Sequence, residues 1–259
     1  MFADALPLDL GARAAVTLPE VLLEAPAMTR VDRKYLVPQS TAQALLDGLP
    51  PHYRVLTIAE RTSTSYRSTY FDTEDLASAR AHVQQRRRRW KARHRLYVED
   101  RLCRIEVKAR DGRGITEKTV ADADPDGYGV LDADGSAFVA ATLAAHDLDA
   151  DVVSLRPTME VGYRRTTLAD TTDEQSRVTL DWKVECVLDG ELVWLDHDYV
   201  LVETKGGLRP GTADRLLTRL GARPRSFSKY VAAASLIRDD LPDNDVRRLR
   251  GRALHLESA

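Results

Sequence analysis

Residues 91–98 read Lys-Ala-Arg-His-Arg-Leu-Tyr-Val, and residues 103–110 read Cys-Arg-Ile-Glu-Val-Lys-Ala-Arg. Charged and apolar residues alternate in both segments, and alternation with a period of two is typical of a β-strand with two different faces. The polar faces carry arginine and lysine, with Glu106 as the one carboxylate among them. A single strand of this kind would be explained by the solvated edge of a sheet.

The same arrangement recurs in three further segments of the chain. Residues 30–35 place Asp32 and Lys34 on one face, and residues 201–205 do the same with Glu203 and Lys205. Residues 177–183 place four polar side chains on one face: Arg177, Thr179, Asp181 and Lys183. Strands that share such faces indicate a charged interior, which a closed antiparallel barrel provides. Such a lumen would suit a polyanion and a divalent metal ion.

The composition fits a globular β protein with a local anion site. The chain has 259 residues, of which 43% are hydrophobic and 30% charged, so it can bury a substantial core. The net charge is only −2, but the basic residues concentrate at 86–118 and in the tail, and the acids at 122–151 and 239–245. Overall charge therefore gives no indication of a nucleic-acid partner, and any anion site must be local.

The remaining composition favours a cytoplasmic protein. The only cysteines, Cys103 and Cys186, form no Cys-x-x-Cys motif and are predicted to be reduced packing residues. Residues 1–10 have no basic region before an apolar run, so no secretory signal is expected. No window approaches 18 uninterrupted apolar residues, and no membrane span is expected.

The pattern along the chain predicts three regions: an N-terminal lead-in at 1–28, a tunnel domain at 29–240 and a flexible basic tail at 241–259. Strands are predicted at residues 29–37, 53–59, 65–72, 91–98, 102–110, 114–120, 157–168, 176–187, 191–196 and 199–205. Helices are predicted at residues 41–46, 73–85, 140–145, 212–220 and 228–239, with an acidic loop at 122–136.

Eight short motifs follow one another along the chain: Asp32-x-Lys34-Tyr35, Tyr70-Phe71-Asp72, Arg93-x-Arg95, Ile105-Glu106-Val107-Lys108, Tyr163-Arg164-Arg165, Arg177-Val178-Thr179-Leu180-Asp181, Val202-Glu203-Thr204-Lys205 and Phe227-Ser228-Lys229-Tyr230. In this order they resemble the motifs of the VTC domain. This is the catalytic domain of the vacuolar transporter chaperone polyphosphate polymerases, within the triphosphate tunnel metalloenzyme superfamily. The resemblance covers residues 29–240. It implies an α+β fold in which a closed antiparallel β-tunnel of about eight or nine strands is flanked by helices.

The resemblance also implies roles for individual residues. The cations that would contact phosphate and carry catalysis are Lys34, Arg93, Arg95, Lys108, Arg165, Arg177 and Lys229, with Lys118 as a further phosphate contact. Arg165 is chosen over Arg164 because the family pattern is Tyr-x-Arg. Glu203 would hold Mn²⁺ or Mg²⁺, with Glu106 and Asp181 as further metal ligands. For Glu106, pairing with neighbouring arginines is the alternative.

The implied function is metal-dependent phosphoryl transfer on polyphosphate or triphosphate by an enzyme of the polyphosphate polymerase type, which takes the γ-phosphate of ATP. In the wider superfamily the first strand carries Glu-x-Glu-x-Lys, and here it reads Arg30-x-Asp32-x-Lys34, which favours the polymerase branch. Two alternatives stay open: a hydrolase of inorganic triphosphate or a related triphosphate, and a non-catalytic module that binds polyphosphate. The expected partners are ATP and polyphosphate or tripolyphosphate.

Overall fold

The computed structural model describes residues 6–23, 31–173 and 176–258. It consists mainly of antiparallel strand pairs with helices, which confirms the predicted α+β class. Arg30 is the first position of the Arg30-x-Asp32-x-Lys34 motif, which differs from the superfamily's Glu-x-Glu-x-Lys, and it lies outside the described residues. Position 29, where the predicted tunnel domain begins, also lies outside them.

The chain divides into two compact units. The first unit comprises the described residues of Met1–Thr64, Arg164–Lys183 and Leu195–Ser226. The second unit comprises those of Ser65–Tyr163, Val184–Trp194 and Phe227–Ala259. Two long strands contribute residues to both units.

Twelve strands lie within the described residues. They are β1 (Ala15–Thr17), β2 (Val31–Pro38), β3 (Tyr53–Thr57), β4 (Thr64–Asp72), β5 (Arg89–Tyr97), β6 (Leu102–Arg110), β7 (Thr116–Ala123), β8 (Arg156–Asp170), β9 (Arg177–Leu188), β10 (Glu191–Leu195), β11 (Tyr199–Gly206) and β12 (Leu254–Ser258). The number of about eight or nine tunnel strands stays a prediction. Two of the twelve strands, β1 and β12, lie in the lead-in and the tail, where no strand was predicted. Both are short strands that alternation within the segment itself does not reveal. Closure of the strands into a tunnel stays a prediction, as do the three region limits.

Six helices accompany these strands: α1 (Leu18–Leu23), α2 (Gln39–Gly48), α3 (Ala77–Val83), α4 (Ala133–Ala145), α5 (Thr212–Arg219) and α6 (Lys229–Ile237). Helix α3 is shorter than the predicted 73–85, because Leu76 has a left-handed backbone with φ of 56° and interrupts the helical path. Helix α4 begins inside the predicted acidic loop. Asp132 is the reason, since its side chain accepts a hydrogen bond from the Gly135 N–H at 2.7 Å and caps the helix.

In the first unit, β11 lies between two antiparallel neighbours, β2 and β9. One face of these strands is apolar, with Tyr35, Val202 and Leu180 buried against α2 and α5 in a single hydrophobic core. Because side chains alternate along a strand, the opposite face carries the charged residues. Strand β1 pairs in parallel with β3, so the first unit includes part of the lead-in.

A buried carboxylate fixes α5 to this unit. Asp214 accepts hydrogen bonds from the Tyr35 hydroxyl at 2.8 Å and from the Thr204 hydroxyl at 2.5 Å. It also accepts from the Gly211 N–H at 2.9 Å, at the start of α5. A buried polar group is tolerated when its hydrogen bonds are made, and here they join β2, β11 and the helix.

In the second unit, β4, β5, β6 and β7 form an antiparallel ladder. Trp90 and Ala92 on β5, and Ile105 and Val107 on β6, pack on one face with Val139 of α4. This confirms the apolar faces predicted for residues 91–98 and 103–110. The other face of β5 and β6 is the charged one. Among the described helices, none is long and apolar enough to span a membrane.

Candidate functional site

Strand register places the charged residues of the first unit in rows across β2, β11 and β9. Glu203 on β11 lies opposite Lys34 on one side and Thr179 on the other. In the next row Lys205 lies opposite Asp32 and Arg177. Because opposite residues of paired strands share a face, these side chains are neighbours.

Glu203 is surrounded by cations. Its Oε1 accepts a hydrogen bond from Lys205 Nζ at 2.5 Å, and its Oε2 lies 3.8 Å from Arg165 Nη2. Burial alone would raise the pKa of this carboxyl, but Lys205, Lys34 and Arg165 together hold its pKa well below the usual value. Glu203 is therefore an ionised carboxylate within a cationic group.

Arg165 also forms a bidentate ion pair with Asp181. Its Nε donates to Oδ1 at 2.6 Å and its Nη2 donates to Oδ2 at 2.8 Å, and Asp181 is fully buried. Arg164 lies on the opposite face of the strand and donates to the Ser63 hydroxyl at 3.0 Å. Arg177 Nη2 donates to the carbonyl oxygen of Val21 in α1 at 2.7 Å.

The second unit carries a denser group of cations on β5, β6 and β7. Lys91, Lys108 and Lys118 lie opposite one another in a single row across the three strands. Arg95 likewise lies opposite Arg104. Like charges placed directly opposite destabilise a sheet, so an anionic ligand would relieve repulsion that is built into this face.

Glu106 is the centre of this group. It accepts hydrogen bonds from Arg93 Nε at 2.9 Å and Nη2 at 2.6 Å, and from Lys118 Nζ at 3.1 Å. Arg95 Nη1 lies 3.6 Å away. Burial alone would raise the pKa of Glu106, but Arg93, Arg95 and Lys118 lower its pKa far below the usual range. Of the two roles predicted for Glu106, pairing with cations is the one that this geometry displays.

Aromatic rings lie against the cations of the second unit. Arg93 Nη1 donates to the Tyr70 hydroxyl at 2.7 Å, and Tyr70 is stacked on Tyr230 of α6 with centroids 4.5 Å apart. The Tyr230 hydroxyl donates to Asp72 at 2.5 Å. Lys229, the first residue of α6, also contacts an aromatic ring, that of Tyr163.

The site prediction missed Lys91 and the tyrosines. For Lys91 a signal was available, because alternation places it on the same face as Arg93 and Arg95. The tyrosines gave no such signal, since aromatic residues in a strand are most simply explained as packing. Their contacts with cations come from distant parts of the chain and are visible only in three dimensions.

A divalent metal fits one of the three predicted ligands better than the others. Across the described ranges, no group of three or more His, Cys, Asp or Glu residues could by itself hold a metal ion. Both oxygens of Asp181 are engaged by Arg165, and both of Glu106 by cations. In Glu203, Oε1 accepts a hydrogen bond from Lys205, and Oε2 lies 3.8 Å from Arg165 Nη2, beyond hydrogen-bond distance. Mg²⁺ is often held by one or two carboxylates together with substrate phosphates, an arrangement to which Glu203 is suited.

Comparisons with known proteins give one family. A family model described as the VTC domain matches residues 29–238. A Hippeastrum protein studied as an adenylyl cyclase, with a dominant triphosphatase activity, has a similar structure with a TM-score of 0.49 and 17% identity, over 80% of this chain and 96% of that one. A candidate adenylate cyclase from Bacillus halodurans has a TM-score of 0.43 and 17% identity, over 85% of this chain and 98% of that one. Among curated proteins, no sequence matches.

Proposed function

Because this chain belongs to the VTC-domain family, we propose that it is an enzyme of metal-dependent phosphoryl transfer that uses ATP to extend polyphosphate. The observation that carries the proposal is the row formed by Lys91, Lys108 and Lys118, together with the arginines gathered around Glu106. Such a face is costly to build and is best explained by a ligand with several negative charges in a chain.

Phosphoryl transfer depends mostly on positioning and on stabilising charge, and arginine and lysine supply both. In the second unit the proposed phosphate contacts are Arg93, Arg95, Lys91, Lys108, Lys118 and Lys229. In the first unit they are Lys34, Arg165 and Arg177. A guanidinium binds two phosphate oxygens at once and stays charged beside other cations, which suits the partly buried positions of Arg93, Arg95 and Arg165.

Mn²⁺ or Mg²⁺, when bound, would supply positive charge that offsets the charge of the phosphates. Glu203 is the proposed protein ligand, and its depressed pKa keeps it in the anionic form that a metal needs. Lys205 would have to release Oε1 or leave Oε2 as the ligand atom. Glu106 and Asp181 could act as ligands only by exchanging an arginine for the metal, so we assign them to holding Arg93 and Arg165 in place.

The test is incubation with ATP and Mn²⁺ or Mg²⁺, with products resolved by length on a gel. Extension predicts chains longer than triphosphate together with ADP, whereas a triphosphatase would form phosphate together with ADP from ATP, or with pyrophosphate from tripolyphosphate, and no longer chain. Glu203→Gln should lower turnover by about ten- to a thousandfold while tripolyphosphate binding persists. The matched control is Glu185→Gln, an exposed residue of β9.

Each outcome assigns the chemistry. Full turnover in Glu203→Gln would mean that the metal ligand is a different residue. If the protein binds tripolyphosphate tightly but shows no turnover with either Mn²⁺ or Mg²⁺, the proposed enzyme is wrong and the polyphosphate-binding module is the function.

A further inference from the structure

Two tyrosine rings of the second unit are stacked face to face, and each carries a cation. Tyr66 on β4 and Tyr163 on β8 are parallel to within 1°, with centroids 5.0 Å apart. Lys229 Nζ lies 4.0 Å from the centroid of the Tyr163 ring. The guanidinium carbon of Arg95 lies 5.5 Å from the centroid of the Tyr66 ring. One aromatic pair therefore contacts two of the proposed phosphate ligands, which come from β5 and α6.

The surroundings make these contacts stronger than they would be in water. Tyr163 is buried, and the side chain of Arg95 is only 11% exposed. The attraction between a cation and the negative face of an aromatic ring grows as the cation loses water. At the same time the ring has no net charge. It can hold a cation in place and leave the full positive charge for an anionic ligand.

A carboxylate would act differently in the same position. Glu106 holds Arg93 and Lys118 by hydrogen bonds and offsets part of their charge. A second carboxylate at the position of Tyr163 would bring another negative charge to the phosphate ligands and repel a polyanion. Aromatic faces hold the cations in position without repelling the polyanion.

We propose that Tyr66 and Tyr163 are positioning residues that hold Arg95 and Lys229 for a phosphate chain through their ring faces. The inference rests on the proposed function, because it takes Arg95 and Lys229 as phosphate ligands. It adds a role for two tyrosines, and the property that matters is the electron density of the ring rather than the hydroxyl group.

A fluorination series at position 163 tests this property. Tyr163→Phe sets the reference, and phenylalanines with one, two and three ring fluorines are then introduced by suppression of an amber codon. Each fluorine withdraws electron density from the face of the ring, while the ring keeps nearly the same shape. Tripolyphosphate affinity, measured by calorimetry at constant salt, should weaken with each fluorine, by about twofold to thirtyfold over the series. Tyr163→Leu should weaken binding at least as much.

The control is the same series at Tyr128, another tyrosine of the second unit with a cation over its ring. The guanidinium carbon of Arg67 lies 5.7 Å from the Tyr128 centroid, and Arg67 also pairs with Glu160. Because neither residue belongs to the proposed phosphate site, fluorination there should leave tripolyphosphate affinity unchanged. An equal effect at both positions would mean a general loss of packing and would overturn the inference, as would a flat series at 163.

A second measurement needs no ligand. A lysine ammonium over a ring places the neighbouring ε-CH₂ protons in the shielding region of that ring. In the NMR spectrum of the ligand-free protein, these protons of Lys229 should move downfield in Tyr163→Leu and stay in place in Tyr163→Phe. Unmoved protons would overturn the inference. Failure of the wild-type protein to bind tripolyphosphate would instead remove the proposed function, while this spectrum still decides whether Tyr163 holds Lys229.

Discussion

Arg165 and Asp181 form a buried ion pair, with Nε to Oδ1 at 2.6 Å and Nη2 to Oδ2 at 2.8 Å. Asp181 is fully buried, and this arginine supplies two hydrogen bonds of the kind that water would otherwise provide. Arg165 also lies 3.8 Å from Glu203. One guanidinium thus supports the fold and belongs to the charged face of the first unit.

Substituting Arg165 alone should lower the unfolding free energy more than substituting both Arg165 and Asp181. Arg165→Met removes the guanidinium that contacts both oxygens of the buried Asp181 carboxylate and should cost about 3–5 kcal/mol of unfolding free energy. Adding Asp181→Leu should recover most of that loss, because the buried carboxylate is then removed as well. Urea denaturation measures both. The control pair is Arg101 and Asp126, whose side chains are 73% and 78% exposed, where Arg101→Met should cost less than about 1 kcal/mol.

Glu106→Gln should weaken the fold and strengthen anion binding. Its charge offsets Arg93, Arg95 and Lys118, so the amide leaves three cations in mutual repulsion. We expect a lower melting temperature, a lower Kd for tripolyphosphate and a larger rise in melting temperature on adding it. Glu160→Gln, which removes the charge that pairs with Arg67, should lower stability without raising affinity. An unchanged or higher Kd in Glu106→Gln would contradict the proposed anion site.

Lys108→Gln should have the opposite combination of effects. Lys108 lies between Lys91 and Lys118 in one row, so removing its charge relieves repulsion on both sides. The unfolding free energy should rise by about 0.2–1 kcal/mol, and tripolyphosphate affinity should fall most at low salt. Both are measured at 20 and 200 mM salt, about a Debye length of 20 Å against one of 7 Å. The exposed Arg113, changed to Gln, is the control, and a loss of stability in Lys108→Gln would argue against repulsion in the row.

His82 should stay neutral in the folded protein well below the usual pKa of histidine. Burial and the charges of Lys91, Arg89 and Lys108 outweigh its hydrogen bond with the Ser78 carbonyl oxygen and lower the pKa to about 3. Titration of the imidazole signals by NMR measures this directly, and an ordinary pKa would contradict the prediction.

The same shift determines a dependence of stability on pH. An unfolded chain protonates this histidine below a pKa of about 6.5, while the folded protein does not, so the unfolded state binds more protons and stability falls as the pH falls from 6.5 to 3. The slope due to His82 is at most about 1.4 kcal/mol per pH unit. His82→Gln should remove that part of the slope, and His197→Gln, at an exposed position, should not.

Most strands could be predicted from the sequence because side-chain alternation is a local property. Residues 91–98 and 102–110 correspond to β5 and β6 with the expected apolar faces, and 199–205 corresponds to β11. The pattern failed for β1, which has three residues and is held by its pairing with β3. It also placed Asp132 in a loop, although that residue caps α4.

The sequence by itself determined which residues share a strand face, and therefore that cations and carboxylates collect on one side of β5, β6, β9 and β11. Only the tertiary structure decided which of them meet: Glu106 with Arg93, Asp181 with Arg165, and Lys229 with the ring of Tyr163. The period of two is set by backbone geometry within a few residues of the chain. Pairing depends on the register between strands and on contacts across long separations in sequence, which no local pattern encodes.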